Sequence, residues 1–196
     1  NYILAISIVI LLILAYNFYK VYTGKEAVEN FDIKEVPKED NLFLLLTTRI
    51  NDSYDPAIKH VRLGQLEIYK DFEFHNLDIL DSNSLSIFTN TQLGGIIHLA
   101  ARAGVRQSLL YPHEYLNTNL IGTLNLLELC RSTKTDKFVL ASTSSLYGET
   151  YSNLISESYP TDSPLTPYSV SKKSAELLCY SYHHQYNCLL FHDFLL

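Results

Sequence analysis

The sequence is poor in glycine and contains no glycine-rich phosphate-binding turn. Only seven of its 196 residues are glycine, and neither G-x-G-x-x-G nor G-x-x-G-x-x-G occurs among them. In such a turn, backbone N–H groups and a helix N-terminus receive a pyrophosphate. A dinucleotide site built on that turn is therefore not encoded in these residues.

Cysteine and clustered positive charge are also scarce. The three cysteines are odd in number and have no metal-ligand spacing, which favours reduced thiols over a disulfide framework or a metal site. His183 and His184 are adjacent, so on a helix they diverge by about 100° and cannot share a metal ion. The net charge is −6 and no basic run exists, which argues against a nucleic-acid partner.

A long apolar run opens the chain. Residues 2–18 carry no charge and are about long enough for a marginal bilayer span. We expect residues 1–20 to be a single-pass membrane anchor of undetermined side, with a cytoplasmic protein as the alternative. A signal peptide would need a small-x-small cleavage site, which is absent, and a buried strand or helix is the structural alternative. Residues 21–40 are charged and without periodicity, which indicates a linker.

Short apolar runs alternate with helical patterns from residue 41 onward. The predicted strands are residues 41–48, 72–79, 95–100 and 138–141. The predicted helices begin behind Pro56, cover residues 82–88 and 115–131, and begin again near Tyr168. This alternation predicts an α/β fold with a parallel, doubly wound sheet.

A hydroxyl cluster and a Tyr-x-x-x-Lys pair form the candidate active site. Strand 138–141 leads into Ser142, Thr143, Ser144 and Ser145, and function in open α/β sheets lies at such carboxyl ends. Tyr168 and Lys172 lie on one face of the following helix, where the ammonium favours the phenolate and lowers its pKa. An amphipathic helix with a solvated lysine is the structural alternative, but the nearby hydroxyl cluster favours a tyrosine base.

Four stretches carry a family resemblance, and together with the segment from residue 51 they cover residues 51–186. They are HLAARAGVRQSL, NLIGTLNLLELCR, LASTSSLYG and PYSVSKKSAELLCYSYHHQY. In this order they resemble the extended short-chain dehydrogenase/reductase superfamily of NAD-dependent epimerases and dehydratases, most of all its nucleotide-sugar epimerases of the UDP-glucuronate 4-epimerase type. The resemblance implies that residues 41–196 form a partial NAD-binding Rossmann-like domain. We expect its sheet to be incomplete and to be preceded by the N-terminal hydrophobic helix.

The resemblance also implies a mechanism. Tyr168 would take a proton from the 4-hydroxyl of the sugar while a hydride passes from C4 to NAD. Lys172 would bind the nicotinamide ribose, and Thr143 would position the hydroxyl. Return of the hydride to the other face of the 4-keto sugar would regenerate NAD.

Further cofactor contacts are implied in the same way. Asp78 and Ile79 would meet the adenine, and the loop of Leu99, Ala100 and Ala101 would pass the diphosphate and ribose. The structural alternatives are a strand-end carboxylate for Asp78 and tight packing for the alanines. Asn119 matches a helix asparagine that braces the active-site loop, and a solvated side chain is its structural alternative.

The residues after Thr143 distinguish branches of the superfamily. The related sugar 4,6-dehydratases carry an Asp-Glu pair there, and UDP-glucuronate decarboxylases have a glutamate at the position of Ser145. Ser144 and Ser145 do not titrate near neutral pH, so they favour simple epimerisation and would hydrogen-bond the sugar carboxylate. Arg106 is a further candidate for binding the anionic substrate, and a surface cation is its structural alternative.

Two hypotheses of different class follow. The first is a membrane-tethered, NAD-dependent nucleotide-sugar epimerase, with a decarboxylase or 4,6-dehydratase as its catalytic alternative. The second is a catalytically defective or truncated relative that acts only by binding or dimerisation. The resemblance implies a homodimer, because residues 119–131 and 168–186 match helices that pair across a two-fold axis.

Overall fold

The computed structural model describes residues 44–48, 56–70, 72–149, 155–156, 158–186 and 189–191. The predicted anchor at residues 1–20 and the predicted linker at residues 21–40 lie outside these ranges. Within the described ranges, no helix combines the length and apolar character needed to cross a bilayer.

A parallel sheet of three strands supports the candidate site. Strand β3 (Ile96–His98) pairs with β4 (Lys137–Leu140), which pairs on its other side with β5 (Leu189–Phe191). Phe138, Val139 and Leu140 are all buried, as expected for a strand covered on both faces. The predicted parallel arrangement is confirmed for these strands.

Strands β1 (Leu44–Thr48) and β2 (Phe72–Asn76) form a second sheet of two strands. Helix α1 (Pro56–Leu66) lies between them in the chain and begins where the sequence predicted. Strand β2 is shorter than the predicted 72–79. It ends early because the Asp78 carboxylate accepts a hydrogen bond from the backbone N–H of Leu80 at 3.0 Å, a local turn that replaces strand pairing.

The predicted helix at residues 82–88 is present as two short pieces. Helix α2 (Ser82–Leu85) is followed by a 3₁₀ turn (Ser86–Phe88). The Asp81 carboxylate caps α2 by accepting from the backbone N–H groups of Asn83 and Ser84.

The prediction of one regular helix at residues 115–131 is wrong, because a π-helical turn interrupts it. Helix α3 (Val105–Ser108) and helix α4 (Pro112–Leu116) precede a π-helical turn (Asn117–Ile121), after which α5 (Gly122–Thr133) continues. A single π-helical turn inside a helix is rare and often marks a functional site.

Helix α6 (Pro167–Tyr186) packs against the sheet and α5. The shared core is apolar and consists of Ile79, Leu85, Leu126, Leu127, Cys130, Phe138, Leu140, Ala175 and Cys179. Strand β5 was not predicted, because the resemblance ends at Tyr186 and a three-residue strand has no readable period. This strand follows α6 in the chain and pairs in parallel with β4, which adds a third strand to the sheet.

Candidate active site

Helix α6 carries Tyr168 and Lys172, and its start is fixed by local hydrogen bonds. Thr166 and Ser169 bond reciprocally, with Thr166 N donating to Ser169 Oγ at 3.0 Å and Ser169 N donating to Thr166 Oγ1 at 3.3 Å. This arrangement is a capping box with serine in its third helical position. Pro167 adds a residue preorganised for a first helical turn. These bonds fix the residue at which the helix begins, and therefore the helix face that carries Tyr168 and Lys172.

Lys172 reaches from α6 to the end of β4. Its side chain is buried, with 4% of the residue exposed, and its Nζ donates to the Ala141 carbonyl at 2.5 Å. Ala141 lies directly between β4 and the hydroxyl cluster. The structure thus brings Lys172 to the strand end that leads into Thr143.

The surroundings of Lys172 bring its pKa close to neutral pH. Burial lowers its pKa to about 8, while Glu176 and then Cys179 oppose that change. His98, at the end of β3, is also buried, and burial together with the nearby Lys172 charge lowers its pKa to about 3. His98 is therefore neutral at physiological pH, and the charge it faces is that of Lys172.

Tyr168 lies one turn before Lys172 and is half-buried. Its ring meets that of Tyr115 edge to face, with centroids 6.1 Å apart and an interplanar angle of 81°. Tyr115 is fully buried and its hydroxyl donates to the Ala103 carbonyl at 2.8 Å. The Tyr168 ring is therefore fixed by a residue that is itself anchored to the loop after β3.

The hydroxyl cluster forms a turn rather than a continuing strand. Thr143 is 8% exposed and extended, and its Oγ1 accepts from Ser145 N at 3.3 Å at the start of a 3₁₀ turn (Ser144–Tyr147). Ser144 is exposed and Ser145 is half-buried. Ser142 instead points towards α6, where its Oγ donates to Glu176 Oε1 at 2.5 Å.

Asn119 braces the loop after β3, as the resemblance implied. Its Oδ1 accepts from Arg102 N at 2.7 Å, and its Nδ2 donates to Arg102 O at 3.1 Å and to Ser171 Oγ at 2.9 Å. The residue is 1% exposed, so it is a buried connector and not a solvated side chain. It lies in the π-helical turn.

Sequence reasoning missed the partners of Asn119. Ser171 is fully buried and donates to the Tyr168 carbonyl at 2.7 Å. Thr123 Oγ1 donates to the Asn119 carbonyl at 2.5 Å and lies 3.0 Å from His98 Nε2. The available signals were a histidine in a buried strand and a serine three residues after the candidate base.

The model of the GDP-mannose 4,6-dehydratase family matches residues 41–194. This chain belongs to that family. Among curated proteins it is similar to a UDP-glucuronate 4-epimerase from Thermodesulfobacterium geofontis, with 41% identity over 86% of this chain and 52% of that protein. UDP-glucuronate 4-epimerase 6 of Arabidopsis thaliana is 36% identical over 71% of this chain and 31% of that protein.

Solved structures agree with this family membership. A UDP-glucuronic acid 4-epimerase from Bacillus cereus, in complex with UDP-glucuronic acid and NAD, is 32% identical with a TM-score of 0.68 over 76% of this chain and 47% of that chain. The predicted Rossmann-like α/β fold is confirmed. The chain spans about half the length of the curated relatives it matches, at 52% of the first.

The other residues predicted to bind cofactor or substrate differ in how far they are exposed to solvent. Ile79 is 7% exposed and packs in the core, and its carbonyl accepts from Asn125 Nδ2 at 2.8 Å. Leu99 and Ala100 are half-buried, while Ala101 and Arg106 are exposed. The core position of the Ile79 side chain leaves its backbone as the part suited to an adenine contact. These assignments stay predictions.

The donor set beside β4 fits the nicotinamide-ribose end of NAD. An ammonium carries three N–H donors, and the 2.5 Å bond to Ala141 uses one of those of Lys172. The others, with the Tyr168 hydroxyl, suit ribose hydroxyl groups. Half-buried Ala100 follows the neighbouring strand β3 and adds only a methyl group there.

Proposed function

We propose that this chain carries the catalytic half of an NAD-dependent nucleotide-sugar 4-epimerase that acts on UDP-glucuronate. One observation carries the proposal: the buried Lys172 ammonium donates to Ala141 at the end of β4, two residues before Thr143, with Tyr168 one helical turn away. The Lys172 ammonium therefore meets the backbone that leads into Thr143, and the Tyr168 phenol belongs to the preceding turn of the same helix. The UDP-glucuronate 4-epimerase relatives support the choice of substrate.

Each of the three residues has a proposed task. Tyr168, as phenolate, accepts the proton of the sugar 4-hydroxyl and later returns it, and Thr143 Oγ1 orients that hydroxyl. Lys172 stabilises the phenolate by its charge and binds the nicotinamide ribose. NAD held by Lys172 and Tyr168 would supply the hydride-transfer chemistry at sugar C4.

Cofactor binding would extend along the ends of β2 and β3. We assign the adenine end to Asp78 and the Ile79 backbone, and the diphosphate and ribose to Leu99, Ala100 and Ala101. The sequence has no glycine turn to receive the pyrophosphate. The nicotinamide end is therefore the better supported part of this assignment.

Substrate choice depends on the residues after Thr143. Exposed Ser144 and half-buried Ser145 would donate hydrogen bonds to the uronate, and exposed Arg106 would supply positive charge. Neither serine offers the acid or base that dehydration requires. This favours epimerisation over the 4,6-dehydratase and decarboxylase alternatives.

The test combines cofactor release with product analysis. The purified chain is denatured and the supernatant assayed for NAD, and native protein is then incubated with UDP-glucuronate. We expect bound NAD and formation of UDP-galacturonate, which Tyr168→Phe abolishes. Tyr159→Phe, in the loop before the same helix and 40% exposed, is the matched control and should retain turnover.

A catalytically defective relative is the second candidate, favoured by the missing glycine turn. It predicts a folded protein without NAD and without turnover. Release of CO₂ or loss of water from the substrate would instead indicate decarboxylase or dehydratase activity.

A homodimer is part of the proposal. Helix α6 exposes Val170, Leu177 and Tyr180, which are 39%, 58% and 65% exposed and share one face. Sedimentation should show a dimer that Leu177→Lys dissociates, and a monomeric wild-type chain would contradict it.

The membrane anchor at residues 2–18 is also retained as a proposal. It rests on the sequence alone, with a cytoplasmic protein as the alternative. Extraction that requires detergent would support the anchor, and recovery in the soluble fraction would refute it.

A further inference from the structure

We propose that Glu176 is a positioning residue for Lys172. Its carboxylate fixes the strand end that receives the Lys172 ammonium and supplies the negative charge that keeps this ammonium protonated. The inference deepens the proposed function and rests on the role given there to Lys172.

The geometry shows two neighbouring links between α6 and the end of β4. Lys172 and Glu176 lie one turn apart on the same helix face. Lys172 Nζ donates to the Ala141 carbonyl at 2.5 Å, and the Ser142 hydroxyl donates to Glu176 Oε1 at 2.5 Å. Adjacent strand-end residues are thus held by residues one turn apart, immediately before Thr143.

The second oxygen of Glu176 is also engaged. Oε2 lies 3.4 Å from Lys173 Nζ, which donates to Thr161 Oγ1 at 2.5 Å. The Glu176 side chain is 21% exposed, so water screens its charge less than that of a surface carboxylate. Held between a hydroxyl and an ammonium, the carboxylate keeps a defined place beside Lys172.

The charges around Lys172 make this carboxylate consequential. Burial lowers the Lys172 pKa to about 8, and Glu176 is the leading group that opposes burial, followed by Cys179 from the same helix. From β3, Lys172 faces His98, which is neutral because burial lowers its pKa to about 3. A lysine with a pKa this close to neutrality changes charge readily. A fall by about 1 would reduce the protonated fraction at pH 7.5 roughly threefold.

The test measures the titration of Lys172 directly. Protein with isotope-labelled lysine side chains is titrated by NMR, and the Lys172 signal is assigned with Lys172→Met. In Glu176→Gln the amide oxygen can still accept from Ser142, so mainly the charge changes. We expect the Lys172 pKa to fall by about 1, the lower end of what a nearby opposite charge produces.

Glu128→Gln is the matched control. Glu128 also accepts a hydrogen bond from a hydroxyl on another element, that of Tyr182, but it is not among the groups that act on Lys172. The Lys172 titration should be unchanged in this variant. An unchanged titration in Glu176→Gln, or an equal fall in both variants, would overturn the proposal.

The comparison can be repeated with a shorter side chain. Glu176→Asp keeps the charge and Glu176→Asn removes it, so the Lys172 pKa should be higher in the Asp variant even if Glu176→Gln fails to fold. Equal values in the two variants would count against Glu176. Because the NMR titration needs no turnover, an inactive chain would refute the proposed function and leave the role of Glu176 to be decided separately.

Discussion

The Asn119 side chain donates to the Ser171 hydroxyl at 2.9 Å, joining residues 52 positions apart. Ser171 passes the link on to the Tyr168 carbonyl, and Asn119 also accepts from Arg102 N in the loop after β3. The π-helical turn, that loop and the first turn of α6 are therefore one hydrogen-bonded unit. The candidate base is thus positioned by Asn119 and Ser171, which are both buried.

Removal of the Asn119 amide should destabilise the whole protein. Asn119→Ala leaves the Arg102 N–H and C=O without their partner in a site that is 1% exposed. We expect a loss of about 2–4 kcal/mol in the free energy of unfolding, measured by urea denaturation. Asn117→Ala changes an exposed asparagine of the same turn and should cost less than about 1 kcal/mol. Equal losses would mean that Asn119 contributes only helix propensity.

Gly148 should not tolerate a side chain. Its φ of 66° and ψ of −140° are unfavourable for residues with a Cβ, and a Cβ there would lie 2.6 Å from the Ser163 carbonyl oxygen. Gly148→Ala is expected to cost about 2–4 kcal/mol of unfolding free energy, as backbone strain adds to overpacking. Gly94→Ala is the control, because nothing lies within 4 Å of its added Cβ. Similar denaturation midpoints for the two variants would refute the expectation.

The sequence was most informative where a short-range pattern coincided with a functional constraint. The apolar residues of β4 and the Tyr168–Lys172 spacing identified the strand, the helix and the meeting of Lys172 with the strand end. These features depend on local period and on the rule that parallel strands present their carboxyl ends at one edge.

The remaining features depend on long-range contacts. Asn119 in the π-helical turn forms hydrogen bonds with residues 17 and 52 positions away. A local sequence pattern cannot predict contacts over such separations. His98 is a polar residue in a buried strand, and its burial is tolerated because Nε2 forms a hydrogen bond with Thr123 Oγ1 at 3.0 Å. Strand β5 is specified by pairing with β4 rather than by its own length.

The buried Lys172 should make stability rise with pH on the alkaline side. Its pKa is about 8 in the folded protein, against 10.5 for an ordinary lysine, so the unfolded chain binds more protons between these values. Folding then becomes more favourable as pH rises, by about 2 kcal/mol between pH 7.5 and 9.5 from this group. Urea denaturation across that range should show the gain in wild type and its loss in Lys172→Met. Parallel profiles would mean that Lys172 is solvated and stays protonated in the folded protein across this range, as an ordinary lysine does.

His98 should control stability on the acid side. Thr123 Oγ1 donates its hydrogen to the Asn119 carbonyl, so it must accept from His98 Nε2, which fixes the neutral tautomer of the imidazole. The pKa of His98 is lowered from 6.5 to about 3 by burial and by Lys172, so the unfolded chain binds the extra proton between these values. Stability from this group is complete above pH 6.5 and falls by about 2–3 kcal/mol by pH 4.5.

His98→Gln tests this acid dependence, since its amide can donate to Thr123 but does not titrate. The difference in unfolding free energy between wild type and variant should shrink by that amount from pH 7 to pH 4.5. Carboxylates such as Glu128, whose pKa is lowered mainly by its hydrogen bond from Arg131, contribute equally to both proteins and cancel. A constant difference across the range would show that His98 is protonated in the folded state or exposed to water, and would contradict its assignment as a buried neutral imidazole.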